Sequence, residues 1–274
     1  MRRFSVICGA LIAIAVSTGA ALAQSTTLRE LGTRNEALAW EAVGRLDIGR
    51  AGYCTGTLIA PDLVLTAAHC VYDKRSGAKV APQDLTFQAG LTHGKAAAKR
   101  VVSQIEAHAG YDPRAAFNAN NIRHDLALVR LAEPIPTHEL DPFGVFPGTL
   151  PKGPVSVVSY GQGRSDALSR QRQCQVLGQA QRLVAVDCDV TFGSSGAPVF
   201  THLNGRGQIA SIISGGGNYD GKKVAFGMAL PALISDLKRQ MRANKAQPVA
   251  KVRRLGVGQN KGASGAKFVT VGGS

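Results

Sequence analysis

The sequence predicts an all-β fold, with strands enough for two small barrels or one large sandwich. Three observations predict it: about a dozen short apolar runs, their regular interruption by Gly, Pro, Asn and Asp, and little sustained helical periodicity before the C-terminal fifth. The runs fall at residues 42–48, 55–59, 63–67, 85–89, 101–107, 126–131, 155–159, 174–177, 183–188, 199–201, 208–214 and 223–229. Between the second and third, Pro61-Asp62 supplies turn chemistry, so 55–59 and 63–67 are expected to form a hairpin. One helix is expected, over residues 231–243. Pro231 suits its first turn, Leu230, Leu233, Ile234, Leu237 and Met241 share a face, and Lys238, Arg239 and Arg242 suit its last turns.

Composition sets the outer bounds. The chain has 274 residues, 45% of them hydrophobic, with 32 Lys plus Arg against 18 Asp plus Glu and a formal charge of +14. That profile excludes disordered and collagen-like chains. Residues 1–23 read as a secretory signal: Arg2 and Arg3 form the basic region, residues 6–16 the apolar run, and Ala21-Leu22-Ala23 the cleavage site. The mature chain is expected to begin near Gln24, losing two positive charges with the signal. No later stretch approaches the roughly 18 apolar residues of a spanning helix, so a transmembrane helix is not expected and a secreted or periplasmic protein is.

Cys8 sits within the apolar run of the signal. Cys54, Cys70, Cys174 and Cys188 remain, an even number suited to an oxidising compartment, and by count alone they allow three pairings. None forms a Cys-x-x-Cys, which argues against a zinc ribbon or a thioredoxin-type site. Residues 24–39 are a polar N-terminal segment. At the other end, residues 243–274 carry Lys245, Lys251, Arg253, Arg254, Lys261 and Lys267 and no acidic residue. This Gly-rich tail, 244–274, reads as a solvated flexible extension or as a tether to an anionic surface. Aromatics do not interleave with its charges, so specific nucleic-acid binding is not expected.

Three short segments each offer one member of an acyl-transfer site. In Leu65-Thr66-Ala67-Ala68-His69-Cys70 a histidine follows directly on an apolar strand. A lone His is more often a packed or surface residue, but a general base needs a rigid backbone such as a neighbouring disulfide would give. In His124-Asp125-Leu126-Ala127-Leu128-Val129 an acid stands at the entry to an apolar strand, either as a turn Asp or as the partner that fixes the tautomer of His69. In Asp189-Val190-Thr191-Phe192-Gly193-Ser194-Ser195-Gly196-Ala197-Pro198 a Ser lies among glycines. A nucleophile on a sharp bend needs amide groups nearby for the oxyanion, and the N–H groups of Gly193 and Ser195 are the candidates. Ser194 is the neighbouring rival; Gly196-Ala197-Pro198 favours Ser195.

Together and in this order, the segments Thr66-Ala67-Ala68-His69-Cys70, Asp125 to Leu131 and Gly193 to Val199 resemble the chymotrypsin-like (trypsin-like) serine endopeptidases over residues 40–243. Lesser likenesses are Cys54-Thr55-Gly56-Thr57, Tyr160-Gly161 and Ser214-Gly215-Gly216. The resemblance implies two six-stranded antiparallel β-barrels, an active site in the cleft between them and a C-terminal helix. It implies His69, Asp125 and Ser195 as catalytic residues, Gly193 and Ser195 as the oxyanion hole, and no cofactor or metal. Asp189, Ser214, Gly216 and Gly227 are the implied substrate-binding residues, with Asp189 placed for an Arg or Lys side chain. Cys70 is expected to pair with Cys54, and Cys188 with Cys174.

The departures matter as well. Ser194 stands where activated zymogens carry an Asp that receives a freed N-terminal amine, and the Ile-Val-Gly-Gly start is missing. The chain therefore looks nearer the bacterial glutamyl-endopeptidase-like branch, although Ile213-Ser214 stands where that branch has its substrate-reading His. Residues 24–39 could serve as a propeptide, with Arg34 as a processing point. The expected function is a secreted or periplasmic serine endopeptidase, a monomer acting on protein or peptide substrates. The alternative is a catalytically idle homologue that binds a partner and is tethered by its basic tail; an esterase would use the same chemistry. The order His, Asp, Ser and the missing Gly-x-Ser-x-Gly elbow disfavour an α/β-hydrolase.

Overall fold

The structure is a computed structural model that describes residues 25–150, 153–202 and 205–244. The expected signal segment, with Cys8, and residues 245–274 of the basic tail lie outside the described residues. Strands β1 (Arg29–Glu30), β2 (Val43–Ile48), β3 (Gly52–Ala60), β4 (Leu63–Thr66), β5 (Leu85–Ala89), β6 (Ala98–Ala107) and β7 (Ala127–Leu131) come first. They are followed by β8 (Pro154–Gly161), β9 (Arg164–Ala180), β10 (Leu183–Val186), β11 (Pro198–Thr201), β12 (Gln208–Tyr219) and β13 (Lys222–Ala229). Among the described residues three α-helices punctuate them, α1 (Arg34–Ala37), α2 (Ala119–Ile122) and α3 (Pro231–Ala243), beside short 3-10 turns.

The order β2-β3-β4-β7-β6-β5 closes one antiparallel barrel. The order β9-β10-β13-β12-β11-β8 makes the second, closed by β8 against β9. Two six-stranded barrels and a C-terminal helix are thus as the resemblance implied. The Pro61-Asp62 turn joins β3 to β4, with Ala60 opposite Leu63. Both expected disulfides form, Cys54–Cys70 and Cys174–Cys188. Their sequence separations are 16 and 14, and a loop of about 15 residues closed in this way is worth ~3 kcal/mol.

Strand β9 is longer than the expected 174–177. Its first half, with Arg164, Asp166, Arg170 and Arg172, is too polar to read as a strand, yet it pairs with β8 from Gly161 and Arg164 onward. Arg170 owes its place there to Trp40, over whose ring its guanidinium lies at 4.2 Å. Trp40 also stacks on Phe143 of the inter-barrel connection and meets Phe200 of β11, with ring centroids 5.8 and 5.2 Å away. The segment ahead of the first barrel is therefore built into the fold. β1 pairs with β9, Arg29 opposite Arg170, and Leu31, Ala37 and Trp40 are buried. Its short helix starts on a capping box in which Thr33 and Glu36 satisfy each other's backbone amides.

Helix α3 buries Leu233, Ile234, Leu237 and Met241. Its last carbonyls would lack partners; Gln104 of β6 donates to the carbonyl oxygens of Met241 at 2.9 Å and Asn244 at 3.2 Å. The side chains of Gln240 and Asn244 in turn donate to buried Glu106, at 2.9 and 2.8 Å. The end of helix α3 is thus pinned to the first barrel.

Candidate active site

His69 lies on a 3-10 turn, Ala68–Val71, that follows β4, and the Cys54–Cys70 disulfide ties this turn back to β3. Asp125 sits between α2 and β7 and is 3% exposed. Its Oδ1 accepts the backbone N–H of His69 at 2.8 Å, and its Oδ2 accepts the ring Nδ1 of His69 at 2.7 Å and the Ser214 hydroxyl at 2.5 Å. A ring nitrogen facing a carboxylate oxygen must carry the proton, so neutral His69 holds its free lone pair on Nε2. A buried carboxylate is costly unless satisfied; here three donors satisfy it.

Ser195 lies in the loop between β10 and β11. It lines a cleft of about 840 Å³ together with His69, Asp125, Phe117, Lys223 and the edge of β12 from Ile213 to Asn218. Among the described residues no hydrogen bond joins the Ser195 and His69 side chains; such contacts often tighten only once substrate is bound. Ser194 is fully buried, and its hydroxyl donates to Ser159 Oγ at 3.2 Å. It is locked inward, away from the cleft that Ser195 lines.

The amides of Gly193 and Ser195 differ from their neighbours: those of Ser194 and Gly196 are bonded to the Thr191 and Ile213 carbonyls at 3.0 and 2.7 Å. The Phe192 carbonyl accepts from the Gln162 N–H at 2.7 Å. Because a trans peptide points its C=O and N–H in opposite directions, that bond aims the Gly193 N–H the other way. Among the described residues neither this N–H nor that of Ser195 has an acceptor. Gly193 has φ +90°, and a Cβ there would meet Tyr53 Cε2 at 2.3 Å, so only glycine fits.

The first barrel holds this loop through Thr55, which the sequence places in a strand and nothing more. The Thr55 N–H donates to the Ser195 carbonyl at 2.8 Å, its hydroxyl donates to the Gly193 carbonyl at 2.9 Å, and that hydroxyl accepts the Tyr160 N–H at 3.0 Å. One buried side chain thus spans both barrels at Gly193. Valine at position 55 would leave a buried N–H and C=O unpaired, a loss of about 1–3 kcal/mol in stability. The Thr55→Val variant is expected to lose roughly tenfold in kcat with KM nearly unchanged, because the loosened peptide stabilises the transition state less. Thr55→Ser should restore most of it; steady-state kinetics on the three proteins checks this.

The expected substrate-binding residues separate. Ser214 and Gly216 line the cleft, although the Ser214 hydroxyl is committed to Asp125. Asp189 and Gly227 are not among the lining residues. Asp189 is fixed by Gln171, whose side-chain oxygen accepts its N–H at 2.7 Å, and its half-exposed carboxylate lies 3.9 Å from Lys223 Nζ. Gly227 lies on β13 opposite Ile213, where a Cβ would meet the Ile212 carbonyl oxygen at 2.1 Å. Its missing side chain therefore serves the close packing of β13 on β12. Lys223 in the cleft wall gave no sequence signal, nor did Phe117, which lies over Gly215 and faces Phe226 at 6.3 Å.

Burial pushes the Tyr111 phenol of the cleft upward, helped by the Asp125 charge, so it stays a neutral donor. The His69 ring and the sulfurs of Cys54 and Cys70 cluster within 4.8 Å. Those sulfurs are bonded to each other and offer no thiolate to a metal.

The Trypsin-like peptidase domain family matches residues 54–207. Among known proteins, Serine protease 23 of Bos taurus is 31% identical over 185 residues, covering 59% of this chain and 48% of that protein. Serine protease 56 of Homo sapiens is 36% identical over 100 residues, 35% of this chain and 14% of that protein. The chain thus spans less than half the length of either relative. A solved structure of Glu endopeptidase in complex with MPD superposes with a TM-score of 0.65 at 18% identity, covering 79% of this chain and 97% of that one. At that identity the likeness is one of fold.

Proposed function

The chain belongs to the trypsin-like peptidase domain family, and from that premise we propose that it is a serine endopeptidase in which Ser195, His69 and Asp125 carry the reaction. The observation that carries the reading is the saturated, buried Asp125 carboxylate, which fixes His69 through both its ring and its backbone N–H. His69 Nε2 takes the proton from Ser195 Oγ as that oxygen attacks the substrate carbonyl carbon. The resulting oxyanion is received by the N–H groups of Gly193 and Ser195, and Asp125 stabilises the imidazolium. The proton then passes from His69 to the leaving amine, the C–N bond breaks and an acyl-enzyme remains. Water, deprotonated by His69, releases the new carboxylate and Ser195.

The expected basic preference meets an obstacle in Lys223. A substrate Arg or Lys side chain approaching Asp189 finds a carboxylate already faced by an ammonium group at 3.9 Å. Asp189 then confers only a weak preference, and Lys223→Ala is expected to raise kcat/KM for Arg and Lys substrates about threefold to tenfold, whereas Asp189→Ala lowers it. Parallel assays on substrates with Arg, Gln and Glu before the scissile bond check the sign.

Two disulfides fit an oxidising compartment, which supports a secreted or periplasmic protein. The N-terminal segment stays attached in this reading, since β1, Leu31 and Trp40 pack into the barrels. The six basic residues between Lys245 and Lys267, with no acidic residue among them, fit either a solvated extension or a tether to an anionic surface. The enzymatic reading is tested by incubating the protein with a proteome-derived peptide library and identifying new termini by mass spectrometry. Defined cleavages that vanish with Ser195→Ala support it; an uncut library in the presence of folded protein favours the idle binding homologue.

A further inference from the structure

Beyond the chemistry at Ser195, and resting on that endopeptidase reading, we propose that the leaving-group side of the cleft selects substrates with acidic residues just after the scissile bond. Two hollows meet at His69, Lys74, Phe192 and Ser195. The first runs along β12, from Ile213 to Asn218, and takes the acyl side. The second, of about 630 Å³, runs along Gly52, Tyr53 and the Cys54–Cys70 disulfide and is lined by Lys74 and Arg75. A polypeptide crossing Ser195 must lay its leaving segment there. Three extended residues span about 10 Å, so the first three positions after the cut pass these side chains.

The charge of this second hollow is unbalanced. Lys74 and Arg75 line it and are exposed, with Asp73 as the acid beside them; just outside the lining, Lys79 is exposed as well, and Arg114 packs over Gly77 of the same turn and donates to the Ser76 carbonyl at 3.4 Å. None of the four cations forms an ion pair within 4 Å among the described residues. Two carboxylates face them, and both are turned to backbone work. Asp73 Oδ1 accepts the N–H groups of Arg75 and Ser76 and the Ser76 hydroxyl, at 3.1, 2.8 and 2.8 Å. Those hydrogen bonds, more than the nearby Arg75 charge, hold its carboxyl below its ordinary range. Asp112 accepts the Arg114 N–H at 2.9 Å. The turn is thus stiffened by its own hydrogen bonds, while Lys74 and Arg75 carry exposed charge into the hollow. Arg75 can grip a carboxylate through two parallel N–H groups, and Lys74 adds a point charge where the two hollows meet. Low-dielectric cleft walls focus such a field on an approaching anionic segment.

The library digest reads this directly, at low salt and at about 0.5 M NaCl, where the screening length falls to a few ångströms. At low salt, Asp and Glu are expected to be enriched about threefold or more in the three positions after the cut, and high salt should flatten the enrichment. The Lys74→Glu/Arg75→Glu variant should reverse it toward Lys and Arg, and Arg75→Gln alone, which leaves the turn intact, should reduce it. Thermal melting establishes that both variants are folded. Cleavage with no acidic enrichment at low salt, or an enrichment unchanged in the variants, overturns this inference and leaves the endopeptidase reading standing. An uncut library defeats both.

Discussion

Asparagine in place of Asp125 is expected to lower kcat by about four orders of magnitude with little change in KM. The carboxylate accepts three hydrogen bonds, two of them from His69. An amide offers one oxygen in place of two and adds an NH2 group. If its oxygen keeps the backbone N–H, the NH2 meets the imidazole and donates to Nδ1, which drives the ring proton to Nε2. The base is then blocked toward Ser195. The buried negative charge that offsets the imidazolium is lost as well. Because the exchange conserves shape, the melting temperature should move by only a few degrees. Steady-state kinetics beside a thermal melt checks both. A fall in kcat of less than about tenfold would mean that Asp125 does not orient the base.

Alanine at Gly196 is expected to cost at least about 3 kcal/mol of stability and about a hundredfold or more in kcat/KM. Gly196 has φ +78°, and a Cβ there would lie 2.3 Å from the Thr55 carbonyl oxygen, 2.4 Å from Thr66 Oγ1 and 2.9 Å from the Ala67 N atom. These atoms belong to the closed first barrel and to the turn that carries His69, so they cannot step aside cheaply. The loop must move instead. It is held on both sides, by Thr55 N–H on the Ser195 carbonyl at 2.8 Å and by Gly196 N–H on the Ile213 carbonyl at 2.7 Å. A shift there displaces Ser195 and its amide together. Gly216 is the control: a Cβ there has no neighbour closer than 3.6 Å, so Gly216→Ala should change stability by less than about 1 kcal/mol. Chemical denaturation of the two variants separates the cases.

What the sequence made legible follows from how local each signal is. Thr66 to Cys70, Asp125 to Leu131 and Gly193 to Val199 are short segments in which chemistry and backbone demands coincide; they pointed to a candidate site directly and to the two barrels through the resemblance they carry. Helix α3 announced itself through Pro231 and one apolar face. Helix α1 was equally readable, since the spacing from Thr33 to Glu36 is that of a capping box, but residues 24–39 read only as a polar segment. The contacts of Thr55 reach Tyr160 and Gly193, 105 and 138 positions away, and no local pattern encodes them. The same holds for Asp189, whose spacing from Ser195 was visible while Lys223, brought to it by the β12–β13 hairpin, was not. A spacing locates a residue in the chain; its charge environment is set by strands that arrive later.

The most direct test of the account is the chemical state of Ser195. The mature protein and its Ser195→Ala variant are treated with a fluorophosphonate, which reacts with a serine only where a base activates the hydroxyl and an oxyanion site receives the phosphoryl oxygen. Peptide mass spectrometry should place a single adduct on Ser195, absent from the variant. An unlabelled Ser195 in folded protein, or an adduct elsewhere that persists in the variant, would contradict the assignment of His69, Asp125 and Ser195 as one catalytic unit.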